Sequence, residues 1–322
     1  MSSIKVVALA GGVGGAKLAD GLSRVLPPQD FTVVVNTGDD FEHLGLRICP
    51  DLDTVCYTLA GLANPSTGWG RVDECWNAME SLEVLGGPAW FRLGDHDLAT
   101  HLERTRRLRE GKLLTDVTRE FCRSWGVGPL VLPISDDEVP TLVHTDEGTL
   151  PFQEYFVRRH FQPRVTGFCF HNVERARPAP EVLDALRQAN SVVICPSNPW
   201  VSIGPILAVS GIRDAILKAN NRGRKSVVAV SPIIGGKAVK GPAAKMYMEL
   251  GIEPSALAVA RHYGSQSSGG LLSGFIMDQE DQEQADAIER LGITPEVTGT
   301  IMTSLQDRVE LAQKVLEFGM ML

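Results

Sequence analysis

Four aspartates stand within fifteen residues of one another: Asp39, Asp40, Asp51 and Asp53. Carboxylates on two neighbouring segments suit a hard cation such as magnesium, which takes one or two of them and leaves its other positions to water and phosphate. Phosphoryl transfer needs such charge neutralisation near the leaving oxygen. Helix capping and turn formation are the plainer uses of the same side chains, and Asp51 or Asp53 is placed to cap a helix over Val55, Leu59 and Leu62. Upstream lies the second chemical stretch, Gly11, Gly12, Gly14 and Gly15, with Lys17 just beyond. Glycine lets backbone turn tightly and approach a ligand closely. A helix opening after such a turn offers free N–H groups and the positive end of its dipole to an anion. A phosphate-bearing ligand above the turn is expected, held by backbone amides with help from Lys17; a turn that binds nothing is the alternative.

Two familiar ligands are disfavoured. In the dinucleotide fingerprint G-x-G-x-x-G, aligned on Gly12 and Gly14, the third glycine falls on Lys17. The ribose-binding acid expected at the end of the second strand is replaced by Asn36, although Asp39 is close. Gly15-Ala16-Lys17-Leu18 also lacks the G-K-[ST] step of a Walker loop. Further polar groups gather in the stretch Arg92 to His101. His96 and His101 invite a metal reading, but a spacing of five keeps them off one helical face. Asp95 capping a helix is the simpler account, and Arg92 stands beside that turn, able to reach a ligand or form a surface ion pair. Ser197-Asn198-Pro199, Ser202 to Pro205, and Ser231 to Gly236 with Lys237, Lys240 and Lys245 downstream all follow apolar runs. In an open α/β sheet such strand ends line the ligand crevice.

The elements that must position these groups alternate. Val6–Ala10, Phe31–Val35, Ser191–Cys195 and Ser226–Val230 read as buried parallel strands, with Ala256–Ala260 and Gly274–Met277 as further candidates. Helical spacing follows the first glycines (Leu18, Leu22, Val25, Leu26) and recurs over 98–109, 114–125, 206–219, 285–291 and 305–316. From about residue 64 to 186 the character changes: Trp69, Trp76 and Trp90 gather there, and short strands at 130–133, 142–144 and 167–170 interrupt the helices. The expected architecture is a single α/β unit, a Rossmann-like parallel sheet with helices on both faces. Its core spans about 1–63 and 187–322, and a mixed, mainly helical insert, about 64–186, caps the crevice.

With 43% hydrophobic and 22% charged residues, the 322-residue chain has an ordinary globular composition. A net charge of −8 argues against coating nucleic acid or an anionic membrane. No apolar run approaches the ~20 residues of a membrane span, and the first apolar run enters the glycines as a core strand rather than a signal peptide. Six scattered cysteines without a C-x-x-C pair read as reduced thiols of a cytoplasmic protein.

The blocks GGVGGAKLADGL, VVVNTGDD, ICPDLDTVCYTL, RLGDHDLATHL, LPISDD, PSNPWVSIGPIL, AVSPIIGGKAVKGPAAK and IMTS, in that order, resemble the 2-phospho-L-lactate transferase family, from about Lys5 to Ser304. The resemblance implies a magnesium-dependent reaction of coenzyme F-420 biosynthesis. The terminal ribityl hydroxyl of 7,8-didemethyl-8-hydroxy-5-deazariboflavin attacks the phosphorus carrying a small organic acid in a guanosine-diphosphate ester, and GMP leaves. Lactyl, enolpyruvyl and glyceryl donors all remain open. Carried over by position, Asp53 and Arg92 match deazaflavin-contacting residues, Gly11, Gly12, Gly14 and Gly15 the diphosphate loop, and Ser197, Asn198, Ser231 and Gly235 crevice segments near the nucleotide. Asp39 and Asp53 are the expected catalytic and magnesium-holding aspartates, with Asp40 second. A flat deazaflavin would suit an apolar slot beneath the insert, where the tryptophans gather. A homodimer is the expected assembly. A UDP-sugar-binding regulator on the same scaffold is the competing reading; there a P-G-D-[IL]-R pattern would replace Pro50-Asp51-Leu52-Asp53-Thr54. An NAD-dependent oxidoreductase is third, against the failed fingerprint.

Overall fold

Val6–Ala10 forms β1, buried along its whole length. A strand covered on both faces must be apolar at every position, which accounts for the unbroken run. In the computed structural model, residues 4–218 and 225–322 are described. After β1 come α1 (Gly12–Val25), β2 (Phe31–Val35), the hairpin of β3 (Phe41–His43) and β4 (Leu46–Ile48), and α2 (Pro50–Leu59). Next are α3 (Asn77–Val84), α4 (Asp95–Arg109), α5 (Leu114–Ser124) and β5 (Leu130–Pro133). Strands β6 (Thr141–Thr145), β7 (Gly148–Pro151) and β8 (Val165–Phe170) lead to α6 (Val182–Gln188), β9 (Ser191–Ile194), α7 (Gly204–Ala208) and α8 (Ile212–Leu217). Then follow β10 (Ser226–Val230), β11 (Ile233–Ile234), β12 (Lys237–Ala238), α9 (Ala243–Glu249) and α10 (Ala256–Tyr263). The chain closes with β13 (Gly274–Met277), α11 (Ala285–Glu289), β14 (Thr294–Val297) and α12 (Leu305–Met321).

Seven strands make one sheet in the order β14-β13-β10-β9-β1-β2-β5, and every neighbouring pair is parallel. The strand order reverses between β1 and β9, the switch point of a doubly wound sheet, and ligands of such sheets bind beyond the carboxyl ends of the strands there. Alternate residues of β1 face opposite layers. Val6, Ala8 and Ala10 pack with Leu18 and Leu22 of α1, Leu52 and Val55 of α2, and Leu311, Val315 and Phe318 of α12. Val7 and Leu9 pack with Leu186 of α6, Ile206 of α7, Ile216 of α8 and Val259 of α10. The α/β, Rossmann-like expectation is met. No helix among the described residues is long and apolar enough to cross a membrane.

Several expectations need correction. Ala256–Ala260 is not a strand but the start of α10, whose N-cap Ser255 accepts a hydrogen bond from the Ala258 amide at 3.0 Å. A five-residue apolar run does not distinguish a strand from a buried helix, and the serine cap decides it. The helix expected over 206–219 is split into α7 and α8 around Gly211, whose φ of +81° no continuing helix permits; residue 219 lies outside the described residues. β5 falls within the 64–186 stretch yet forms the edge of the main sheet beside β2, so that stretch is cap only in part. The rest of it supplies α3 to α5 and a separate antiparallel sheet, β7-β6-β8.

Candidate functional site

At the switch point the glycines form no free-standing loop. Gly11 is extended, and α1 begins at once on Gly12, whose φ is +63°. The missing side chains are filled by neighbours. A Cβ on Gly11 would lie 2.5 Å from Asp51 Oδ2, one on Gly14 2.4 Å from the Pro196 carbonyl oxygen, and one on Gly15 2.6 Å from Ser197 Oγ. Ser197 Oγ ties the two central strand ends together, accepting from the Gly11 amide at 3.2 Å and donating to the Gly11 carbonyl at 2.8 Å. These glycines let the β1–α1 junction close onto Pro196–Ser202 and Asp51. Gly14→Ala is therefore expected to destabilise the fold by about 1–3 kcal/mol, since its methyl meets backbone rather than a movable side chain. A urea midpoint unchanged from wild type would show that the junction yields.

Directly beside this junction sits a buried acidic group centred on Asn36, at the end of β2. Its Nδ2 faces three acceptors: Asp39 Oδ1 at 3.0 Å, Asp51 Oδ2 at 2.8 Å and the Val201 carbonyl at 3.1 Å. The amide has two protons for the three. Asp51 Oδ1 accepts from the Gly12 amide at 2.7 Å, which joins the acid to the start of α1. Asp51 also stands in the first turn of α2, where the helix dipole favours a carboxylate. The N-cap of α2 is Cys49 and Pro50 is its first residue, so neither Asp51 nor Asp53 caps it. Burial, then the charge of Asp51, pushes Asp39 well above the usual carboxylate range. Burial raises Asp51 to about 6, opposed by its hydrogen bonds from Asn36 and Gly12. Among the described residues neither acid has an ion-pair partner. Two buried carboxylates that share one amide and lack a counter-charge form a donor set suited to a hard divalent cation.

Asp40 is also raised to about 6, by burial, with Arg47 pulling it back. Its Oδ2 lies 3.3 Å from Arg47 Nη2, while Oδ1 is buried with no hydrogen-bond partner among the described residues. Arg47 Nη1 in turn holds Glu138 at 2.6 Å.

Asp53 points elsewhere. Two residues along a helix turns the side chain by roughly 200°, so Asp51 meets the glycines while Asp53 meets α4. There Arg104 grips both carboxylate oxygens, Nη1 to Oδ2 at 3.0 Å and Nη2 to Oδ1, and both residues are buried. Burial opposes the guanidinium charge, yet Asp53 carries Arg104 well above its ordinary value. His101 Nδ1 lies 3.2 Å from Arg104 Nη1, its Nε2 lies 3.3 Å from Asp97 Oδ2, and Tyr57 donates to Asp97 Oδ1 at 2.7 Å. Asp53, Asp97 and His101 are close enough to surround a metal ion. The Arg104 guanidinium already pairs with Asp53 and stands beside His101, so Asp53 has a counter-charge that Asp39 and Asp51 lack. Asp53 is thus turned toward α4, and Asp51 stands beside Asp39 on the Asn36 amide.

The remaining candidates are placed as follows. Arg92 is exposed and lies over the Trp76 ring at 4.4 Å. Lys17 donates to the Met302 carbonyl at 2.7 Å. Asn198 Oδ1 accepts from the Trp200 amide at 3.0 Å, and Ser231 Oγ donates to the Ile233 carbonyl at 2.7 Å; each closes its own turn. The Gly235 amide is held by Asp281 at 3.2 Å. Trp76, with Phe41 and Phe91, borders a small cluster of Ile48, Met79 and Leu93, and the Trp90 ring lies 6.0 Å from that of Phe41. Trp69 is 48% exposed on a separate loop, so the three tryptophans do not form one slot. Asp95 does not cap its own helix. Its Oδ1 accepts from Ala78 in α3, and Glu74 caps α4 through the His96 and Asp97 amides, each at 2.8 Å.

Asn36, Asp51 and Arg104 carry more of this site than their sequence contexts suggest. The signal for Asn36 was its place at a strand end followed by T-G-D-D; for Arg104 no local signal exists, because its partner is 51 residues away. Asp97 and His101 stand at i, i+4 on one face of α4, the spacing that His96 and His101 lack.

Comparison with known proteins agrees with this architecture. A phosphoenolpyruvate transferase from Streptomyces griseus is 44% identical over 321 residues, covering 98% of each chain. One from Kitasatospora aureofaciens is 44% identical over 319 residues, covering 97% of each. A solved protein from Bacillus halodurans, a member of the UPF0052 family, superposes with a TM-score of 0.62 at 16% identity, over 98% of this chain and 99% of that one, which speaks for the fold alone. The family model described as 2-phospho-L-lactate transferase CofD matches residues 6–301, and the chain belongs to this transferase family.

Proposed function

We propose that this chain transfers a phospho-organic-acid group from a guanosine-diphosphate-activated donor to 7,8-didemethyl-8-hydroxy-5-deazariboflavin, releasing GMP, as a step of coenzyme F-420 biosynthesis. The donor acid is of the phospholactate, phosphoenolpyruvate or phosphoglycerate type; the similarity to phosphoenolpyruvate transferases favours the enolpyruvyl form. The observation that carries the reading is the buried, unpaired Asp39–Asp51 couple beside the first turn of α1 at the sheet's switch point. Asp39 and Asp51 would hold magnesium, with Asp40 next to them. When bound, the cation supplies charge screening of the diphosphate and of the leaving oxygen.

The chain's own residues do the rest. The amides of the N-cap and the first three helical residues lack intrahelical acceptors; Gly11 spends its amide on Ser197 and Gly12 on Asp51, so those of Val13 and Gly14 are left for phosphate oxygens. Asp40 is suited to take the proton of the attacking hydroxyl: its Oδ1 is unpartnered, Arg47 orients Oδ2, and a carboxyl near 6 is poised for proton transfer close to neutrality. Asp53, fixed by Arg104, and Arg92 over Trp76 mark the acceptor side. An in-line displacement at phosphorus asks mainly for positioning and electrostatic stabilisation, and this arrangement provides both. The protein acts in the cytoplasm as a homodimer in this reading.

Equilibrium binding separates this from the regulator reading. The protein is expected to bind the deazaflavin and GDP and to ignore UDP-N-acetylglucosamine. Binding of the UDP-sugar without the deazaflavin would overturn the transferase proposal.

A further inference from the structure

One feature beside α1 is used by none of the chemistry above. The loop Asn64–Gly70 closes on itself, with Asn64 and Gly70 joined at 3.1 Å and the Gly68 amide donating to the Asn64 carbonyl at 2.8 Å. This strap lies against the second residue of α1. A Cβ on Gly68 would stand 2.6 Å from Val13 Cγ1 and 3.0 Å from Lys240 Nζ, and the φ of Gly68 is +76°. The positive φ favours glycine there, and a side chain would push Val13 and Lys240 away. Lys240, on the turn after β12, donates its ammonium to the Thr67 carbonyl at the strap's crest. Lys17 lies one turn along α1 from Val13, on the same face.

Two ammonium groups thus flank Val13, Lys17 one turn along its helix and Lys240 at the strap packed against it. Lys17 donates to the Met302 carbonyl and Lys240 to that of Thr67; among the described residues neither pairs with a carboxylate. Arg308, close by, is already balanced by Asp20 at 2.9 Å. Burial, then the charges of Arg308 and Lys240, lowers Lys17, with Asp307 offsetting part of this, and burial lowers Lys240. Holding like charges together costs free energy that a bound anion returns. Among the described residues each ammonium bonds one backbone carbonyl, which leaves protons for charge-assisted bonds to an incoming phosphate oxygen.

We propose that Lys240 and the Asn64–Gly70 strap form a latch over a diphosphate, with Lys17 on its other side, so that Lys240 is a positioning residue for the donor. Lys240 keeps its bond to the Thr67 carbonyl and gives its remaining protons to the anion, Lys17 does the same from the other side with its bond to the Met302 carbonyl, and the strap seals the anion from water. The proposal rests on the function above for the nucleotide, but not for the diphosphate, and inorganic pyrophosphate separates the two.

The test is hydrogen exchange of the full chain, read at residues 64–70, together with the fluorescence difference between wild type and Trp69→Phe, since Trp69 sits on the strap. With magnesium present, GDP and pyrophosphate are each expected to slow exchange in the strap and to change Trp69 emission. Lys240→Gln should weaken both ligands about tenfold or more, and Lys240→Arg should restore most of the affinity. In the transfer assay Lys240→Gln should raise the donor KM and leave kcat within about twofold, the signature of lost ground-state binding. Gly68→Val should reproduce the loss of strap protection. Equal affinity of Lys240→Gln and wild type for pyrophosphate, or strap exchange indifferent to it, would overturn the latch. Strap protection by pyrophosphate but not by GDP would keep the latch and overturn the guanylylated donor.

Discussion

Arg104→Met is expected to cost about 3–5 kcal/mol of folding stability, because it strands a buried carboxylate without its counter-charge. The pair is bidentate, Arg104 is 2% exposed and Asp53 is 5% exposed, so water cannot replace the guanidinium. For a chain of this length that corresponds to a melting temperature lower by roughly 5–7 °C. The deficit has a pH dependence of known sign. Burial already pushes Asp53 upward, and losing Arg104 removes the principal pull in the other direction. A carboxyl whose folded pKa exceeds its unfolded value binds more protons in the folded state, so stability falls as pH rises through that window. The variant should therefore be least impaired in mild acid and most impaired at neutral pH. Pairing it with Asp53→Leu should recover much of the loss, since an apolar pair avoids the desolvation cost. Thermal melts of the four proteins across pH form the double-mutant cycle. A single variant no less stable than wild type at pH 7 would show that Asp53 is not held as described.

Asp39→Asn should do the opposite to stability while abolishing activity. Asp39 and Asp51 are buried carboxylates with one Asn36 amide between them, and each raises the cost of charging the other. Asp51 sits near 6. Both folded values exceed the unfolded one, so metal-free wild type loses stability as pH rises from about 4 through 6 while Asp51 ionises, and loses more as pH rises through the still higher range of Asp39. Neutralising Asp39 removes the repulsion, and metal-free Asp39→Asn is expected to be more stable than wild type by about 1–2 kcal/mol at pH 7.5, with a flatter pH profile. Magnesium should reverse the order. It stabilises whichever protein binds it, in proportion to the logarithm of ligand over Kd, and Asp39→Asn should gain little. Transfer should fall by about 10²–10³ or more, the scale of losing one preorganised electrostatic group at a reacting centre. Stability held below its optimum for the sake of activity is a common trade in active sites. If Asp39→Asn were both less stable without metal and fully active, the acidic couple would be an ordinary structural motif.

Some of this molecule can be read directly along its chain. Buried parallel strands announce themselves, and Val6–Ala10, Phe31–Val35, Ser226–Val230 and Gly274–Met277 are all strands of the main sheet. The chemical stretches at strand ends are likewise visible, because the polar residues begin where the apolar run stops. The family resemblance rests on those same blocks and spans nearly the whole chain, in accord with the family match over 6–301. What escapes is whatever depends on partners distant in the chain. Ala256–Ala260 could be strand or helix until Ser255 caps it. The polar edge strand β14, with Pro295 inside it, carries no apolar signature. Asp51 and Asp53 look equivalent as letters, and the helical turn between them sends one to the glycines and the other to Arg104. The glycines themselves look like a cradle for a ligand; three of the four are small because Asp51, Pro196 and Ser197 occupy the space a side chain would need.

The proposed reaction is group transfer at the Asp39–Asp51 edge. Its most direct measurement incubates the purified protein with the deazaflavin, magnesium and each of the lactyl, enolpyruvyl and glyceryl guanylylated donors in turn, and follows the product mass and the GMP released. A phosphodiester of the acceptor is expected with at least one donor, with one GMP per product and no product when magnesium is withheld. No product with any of the three donors would contradict it.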